Sequence, residues 1–340
     1  MKRRQFLRFA ASAAALASIS PDANAQTYPS RPITMIVPAA AGGPTDVLGR
    51  LLAERMRGLL GQPIIIQNVT GADGRIGLDR AAGAKPDGNM ISIGNMSTHV
   101  LNGAFYPLGY DVLNAFAPIS PLITTPLVLT AKKTIPAKDL PELITWLKAT
   151  PNGASVGIPA VTFRLMAAFF QRQTGTQFTF VSYRGAAPAR QDLVAGEIDL
   201  LFDQPDALTL VRAGSIKAYA VTSDARVALA PDIPTFAESG LPALSWSGWY
   251  GLFAPRGTPK DVIDKLNAAT VDALADPAVR SRLVDLGMGL FPPEQQTPDA
   301  LGTLMNAAAE KWWPLIKEFG ISGSAPTVPV PCVYRKPYPS

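Results

Sequence analysis

Short β-branched runs alternate with stretches of helical periodicity along most of this chain, and that alternation fixes its class as α/β. Ile33 to Val37 forms a buried strand in this reading. Val47, Leu48, Leu51, Leu52, Met56, Leu59 and Leu60 then recur on one stripe, which predicts a helix over Asp46 to Leu60. Gly61-Gln62-Pro63 stops it, and Ile64 to Ile66 opens the next strand. The cycle continues with a helix over Ile76 to Ala84 and a strand over Met90 to Ile93. Leu140, Leu143, Ile144 and Leu147 mark another helix. Strands follow at Phe178 to Ser182, Ile198 to Phe202 and Ile216 to Thr222, with helices at Arg190 to Gly196 and Asp206 to Ala213 between them. Trp249 to Ala254 is a further strand. Pro259 to Ala275, Pro277 to Leu286 and Pro298 to Glu318 make a helical C-terminal third.

The first residues obey different rules. Lys2, Arg3, Arg4 and Arg8 precede a short apolar stretch from Phe9 to Ile19, and Ala23-Asn24-Ala25 has the small-x-small pattern of a signal-peptidase site. Export with cleavage after Ala25 is expected, so the mature protein is assigned to the periplasm. Arg-Arg-x-Phe-Leu resembles a twin-arginine signal, although Lys2 stands where Ser or Thr is usual, and the Sec route stays open. No later segment reaches the ~20 apolar residues of a membrane span. Removing the leader takes four positive charges and Asp22 from a net +5, leaving +2. With no Lys/Arg run left, nucleic acid is excluded as a partner.

Catalysis has little to draw on. The single histidine, His99, is read as a structural, hydrogen-bonded side chain, and the single cysteine, Cys332, excludes both an intrachain disulfide and a cysteine zinc site. No catalytic residue, metal or cofactor is assigned. Anion binding has more support. Gly42-Gly43-Pro44-Thr45-Asp46 joins the first strand to the first helix, where glycine backbone, free amides and the helix dipole together suit an anion. A tight turn capped by Thr45 or Asp46 is the plain alternative. Three further loops follow strands: Asn95 with Ser97 and Thr98; Gly185, Ala186 and Ala187 after Tyr183; and Asp203 after Phe202.

The order of motifs carries a resemblance. Tyr28-Pro29-Ser30-Arg31-Pro32-Ile33, Ala41 through Asp46, Leu60-Gly61-Gln62-Pro63 and Lys85-Pro86-Asp87-Gly88 come first. Ser97-Thr98-His99, Tyr183-Arg184-Gly185, Gly196-Glu197-Ile198-Asp199, Pro231-Asp232-Ile233-Pro234-Thr235 and Trp249-Tyr250-Gly251-Leu252 follow. In this sequence they resemble the Bug-type solute-binding receptors of tripartite tricarboxylate transporters, from Tyr28 to about Ile321.

The resemblance implies a periplasmic-binding-protein type II fold, a Venus flytrap of two α/β lobes joined by two crossovers near Leu127 and Trp249. Residues 26–126 and 250–321 would form lobe one, 127–249 lobe two, and 322–340 a Pro-rich tail expected to be disordered. It further implies a monomeric binding protein, not an enzyme, that captures a small organic acid between its lobes for membrane permease subunits. An orphan receptor serving a membrane sensor, or an exported enzyme on the same scaffold, are the alternatives. In the family one carboxylate is held mainly by backbone amides and waters, from the first strand–helix loop and a loop of the second lobe. One departure stands out. The family's glycine-rich loop, Gly-Ser-x-Gly-x-Gly-(Ser/Thr) followed by His, reads here as Gly157 to Arg164, about two residues shorter and poorer in glycine. Arg164 stands near the usual His and is the candidate for a bidentate grip on a second carboxylate, with a structurally paired Arg as the alternative.

Overall fold

A computed structural model describes residues 28–183 and 185–322 of the protein. The leader, its cleavage site, Arg184, and the tail from residue 323 onward with Cys332 lie outside the described residues. The elements run β1 (Ile33–Val37), α1 (Pro44–Leu60), β2 (Ile64–Asn68), α2 (Arg75–Ala82), β3 (Met90–Asn95) and α3 (Asn102–Phe105). They continue as β4 (Phe116–Pro126), β5 (Val128–Lys132), α4 (Leu140–Ala149), β6 (Ser155–Ile158), α5 (Val161–Thr174), β7 (Thr179–Ser182), α6 (Ala186–Ala195) and β8 (Leu200–Asp203). The last are α7 (Leu208–Arg212), β9 (Ile216–Val221), β10 (Ser247–Pro255), α8 (Lys260–Ala275), α9 (Pro277–Asp285), β11 (Gly289–Leu290) and α10 (Pro298–Glu318).

Two sheets result. The first has six strands in the order β11-β4-β10-β3-β1-β2, and the second five in the order β7-β6-β8-β5-β9. The chain leaves the first sheet at Leu127, between β4 and β5, and rejoins it at Ser247, where β10 pairs with Pro126 of β4. The return therefore comes a few residues before Trp249. The two crossovers are stitched together. The Leu127 amide donates to Thr222 Oγ1 (2.8 Å), the Thr222 amide to the Leu127 carbonyl (2.9 Å), and the Trp246 amide to the Thr222 carbonyl (2.7 Å).

β4 hides from a periodicity search because Pro118, Pro121 and Pro126 interrupt it. It tolerates them because its register against β10 shifts twice, leaving Leu122 and Ile119 as extra residues beside Pro121 and Pro118. On its other side only Ile123 and Thr124 are paired, with β11.

Apolar stripes explain the packing. Leu48, Leu52 and Met56 of α1 lie against Met35, Ile91, Leu266 and Leu274 in the core of the first sheet. α10 spans both lobes. Trp313 donates its indole N–H to the Val100 carbonyl (3.2 Å), while Trp312 packs edge-on to Phe169 of α5 (5.8 Å). Among the described residues no helix is long and apolar enough to cross a membrane.

His99 is structural. It is fully buried, stacks on Phe253 at 3.9 Å, and has Nδ1 3.0 Å from Thr98 Oγ1. Burial pushes its pKa down to about 3, so the ring stays neutral. A Cβ on Gly94 would sit 2.0 Å from that ring. Gly94→Ala is accordingly expected to cost about 2–3 kcal/mol by overpacking, read as a lower urea midpoint with an unchanged slope.

Candidate ligand-binding cleft

Two cavities meet between the lobes. The first, about 180 Å³, is lined by Gly42, Pro44 and Val47 from the β1–α1 side, Leu286 and Met288 near β11, and Gln204 to Asp206 from the second lobe. The second, about 170 Å³, is lined by Asn95, Met96 and Ser97 from the first lobe and Ala160, Thr162 and Phe163 from the second, with Trp246 and Trp249 closing it. Thr125, Gln204 and Tyr250 belong to both walls, so the cavities adjoin.

A helix begins at each. Gly43 caps α1 with Pro44 in the first turn, and Ala160 caps α5; neither cap has a side-chain hydrogen bond to the turn it opens. First-turn amides are thus left to other acceptors, and the positive ends of both helix dipoles face the crevice region. The capping alternative for Thr45 or Asp46 is not what forms; both are buried inside the helix start.

Asp46 does something else. Its Oδ2 accepts from the Gly42 amide (2.8 Å) and Arg50 Nε (2.9 Å), and its Oδ1 from Asn68 Nδ2 (2.9 Å). Asn68 Nδ2 also reaches the Ala39 carbonyl (3.1 Å). The carboxylate, its side chain 3% exposed, pins the loop with Gly42 at φ +80°. Arg50, first among the causes, holds its pKa down at about 2.

The other expected site residues separate into two groups. Gly42, Pro44, Asn95 and Ser97 line the cavities, and Gly43 is the cap beside them. Thr98 supports Asn95: its amide donates to Asn95 Oδ1 (3.0 Å), and its hydroxyl accepts from the Asn95 amide (3.0 Å). Arg164, Asp203 and the Gly185–Ala187 turn line neither cavity. The Arg164 guanidinium lies over the Phe180 ring at 5.4 Å. Phe163, one residue earlier, takes the cleft wall. Asp203 is fully buried and clamped by Arg190 through Nε (2.8 Å) and Nη2 (2.7 Å). Its neighbour Gln204 faces the crevice instead, as alternation at a strand end requires. Gly185, at φ +109°, caps α6.

Thr125, Thr162, Trp246 and Tyr250 were not singled out as ligand contacts from sequence. Gln204 had a signal, its place directly after the strand, and Tyr250 stood within a recognised motif. Thr125 lay in the Pro-interrupted strand and had none.

The lobes touch on both flanks of the crevice. Thr162 Oγ1 is 2.9 Å from Ser97 Oγ across the gap. On the other flank, a Cβ on Gly287 would come 2.6 Å from Pro205 Cβ and 3.0 Å from Leu229 Cδ1 of the second lobe. Gly287→Ala should therefore wedge the lobes apart. It is expected to fold, losing about 1 kcal/mol to the left-handed backbone, while ligand affinity falls at least tenfold, as a calorimetric titration would show.

Residues 48–321 match the family model of the tripartite tricarboxylate transporter family receptor. BugT of Bordetella pertussis is 33% identical over 311 residues, covering 90% of this chain and 94% of BugT. MatC from Rhodopseudomonas palustris, solved with bound malate, is 37% identical with a TM-score of 0.76, covering 85% of this chain and 100% of that one. Rpa4515 of R. palustris, solved with adipate, is 30% identical with a TM-score of 0.78, covering 87% and 99%.

Proposed function

The chain belongs to the tripartite tricarboxylate transporter receptor family, and from that premise we propose that it captures a small carboxylate in the crevice between its lobes and delivers it to membrane permease subunits. The observation that carries this reading is the pair of adjoining cavities, walled by both lobes and flanked by two helix N-termini without side-chain caps. Closure around an anion replaces water with fixed main-chain dipoles and hydroxyls, so the charge is never left without partners. Gly42, Gly43, Pro44, Thr45, Asn95 and Ser97 form the first lobe's half of the proposed site. Thr98 and Asp46 position that half, while Thr162 and Gln204 contribute from the second lobe. Asp203 and the Gly185–Ala187 turn shape the second lobe around it. The bound malate and adipate of MatC and Rpa4515 favour a carboxylate here too.

The protein acts in this reading as an exported monomeric receptor without catalytic chemistry. Its leader is removed after Ala25, and its lobes divide at Leu127 and just before β10. The test is a thermal-shift screen of the mature protein against small organic acids, malate and adipate among them. A binder present at a hundred times its Kd adds about 2.7 kcal/mol to stability, which is a shift of several degrees. A flat response to every carboxylate, in a sample that melts cooperatively, would overturn the proposal.

A further inference from the structure

The two cavities differ in their walls. Gly42, Pro44 and Val47 bring the first turn of α1 to the first cavity. The second is walled by rings: Phe163, Trp246, Trp249 and Tyr250, with Met96 among them. Four aromatic side chains around about 170 Å³ give that space flat faces rather than the rounded contours of aliphatic branches.

Local structure puts these rings in place. β6 ends at Ile158 and α5 begins at Val161, so the short connection sets Phe163 in the first turn of α5, at the crevice. Phe163 is only partly buried. Trp246, 9% exposed, is fixed by its own amide, which donates to the Thr222 carbonyl (2.7 Å). A Cβ on Gly248 would sit 2.9 Å from Trp246 Cη2, so a side chain there would push the indole off β10. Trp249 packs on Phe253 at 6.4 Å, whereas Phe163, Trp246 and Tyr250 contact no other aromatic ring among the described residues. The Trp246 indole N–H is buried with no acceptor among the described residues, a costly state for a donor. It stands in the same wall as the hydroxyls of Ser97, Thr125 and Thr162.

Resting on the carboxylate reading above, we infer that the ligand is an aromatic carboxylate. Its carboxylate lies at the first turn of α1, its ring fills the second cavity, and a hydroxyl or ring nitrogen accepts from Trp246. A cavity of ~150 Å³ with apolar walls holds a benzene ring, so the space here suits one six-membered ring. Thr125, Gln204 and Tyr250, common to both walls, flank the join between ring and carboxylate. Phe163 is the specificity-determining residue. It rides on the second lobe and Tyr250 on the first, so closing the lobes brings both rings onto the ligand. A flat ring gains face and edge contacts there that a saturated ring of the same size does not.

Ring-matched acids test this. Benzoate and cyclohexanecarboxylate share a carboxylate and a six-membered ring, but only benzoate is flat. Calorimetric titration of the mature protein is expected to show benzoate at least fivefold tighter, with 3- or 4-hydroxybenzoate tighter again by a similar factor. Phe163→Leu keeps apolar bulk and should bring benzoate within twofold of cyclohexanecarboxylate. Trp246→Phe should bring the better hydroxybenzoate down to benzoate. A melting temperature within a few degrees of wild type qualifies each variant, and the wild-type series stands without them. Cyclohexanecarboxylate or adipate binding as tightly as the tightest aromatic acid would overturn the inference while leaving the carboxylate receptor intact. A preference for the flat ring that survives Phe163→Leu would overturn the role of that residue. Absence of binding by every acid in the wider screen would overturn both readings.

Discussion

Replacing Arg190 with Ala is expected to cost about 3–5 kcal/mol, the penalty for stranding a buried charge. Asp203 is fully buried at the end of β8 and receives two bonds from Arg190 and one from the Gln204 amide (2.8 Å). Asp203, the largest influence, raises the Arg190 pKa, so the guanidinium stays charged throughout the accessible range. Remove it, and the carboxylate keeps only the Gln204 amide as a donor. The damage should also reach function, because Gln204 and Pro205 of the crevice wall follow Asp203 directly. Removing both partners tells a different story. Arg190→Ala with Asp203→Ala leaves no buried charge, and should recover a large share of the loss. Urea unfolding of the two single variants and the double gives the cycle. A loss below about 1 kcal/mol for Arg190→Ala, or strict additivity in the double, would contradict the assignment.

Asp46→Ala is the second large effect, and it joins stability to binding. The carboxyl pKa falls from 3.8 to about 2 on folding, a gap worth roughly 2.5 kcal/mol. Because the folded value is the lower one, the stabilisation is complete above the unfolded pKa of about 4. It drains away as pH falls toward 2. Wild type and Asp46→Asn should differ most near pH 6, and their unfolding free energies should converge between pH 4 and pH 2. Asp46→Ala further frees the Gly42 amide, Arg50 and Asn68, so the loop carrying Gly42 and Pro44 loses its anchor. Loss of ligand affinity should accompany the loss of stability. A pH-independent difference between wild type and Asp46→Asn would show that the carboxylate is not held as described.

The fold was legible wherever one stripe of side chains decides the structure. β1 has the bounds its β-branched run implies, and α10 runs from Pro298 to Glu318 as its periodicity requires, through Pro314. β4 was not legible, because proline chemistry argues against a strand and only the tertiary bulges make room for it. Of the crevice lining, Gly42, Pro44, Asn95 and Ser97 were legible as strand-end loops, whereas the Gly185–Ala187 turn, chosen on the same ground, lines neither cavity. Gly42 and Ser97 sit where strand ends meet the crevice, a matter of local order. Asp46, Arg164 and Asp203 were singled out for their charge, yet Arg50 is four residues from Asp46, Phe180 sixteen from Arg164 and Arg190 thirteen from Asp203. The i,i+4 spacing inside the expected helix is enough to pair Asp46 with Arg50, whereas the partners of Arg164 and Asp203 stand on other elements, where spacing along the chain says nothing.

A crystal structure with the tightest-binding acid from the screen tests the central claim most directly. The carboxylate is predicted in the crevice between the lobes, within hydrogen-bonding reach of first-turn amides of α1 or α5, with Thr125, Gln204 and Tyr250 against the rest of the molecule. An acid bound outside the crevice, or a crevice filled instead by a cationic compound, would contradict it.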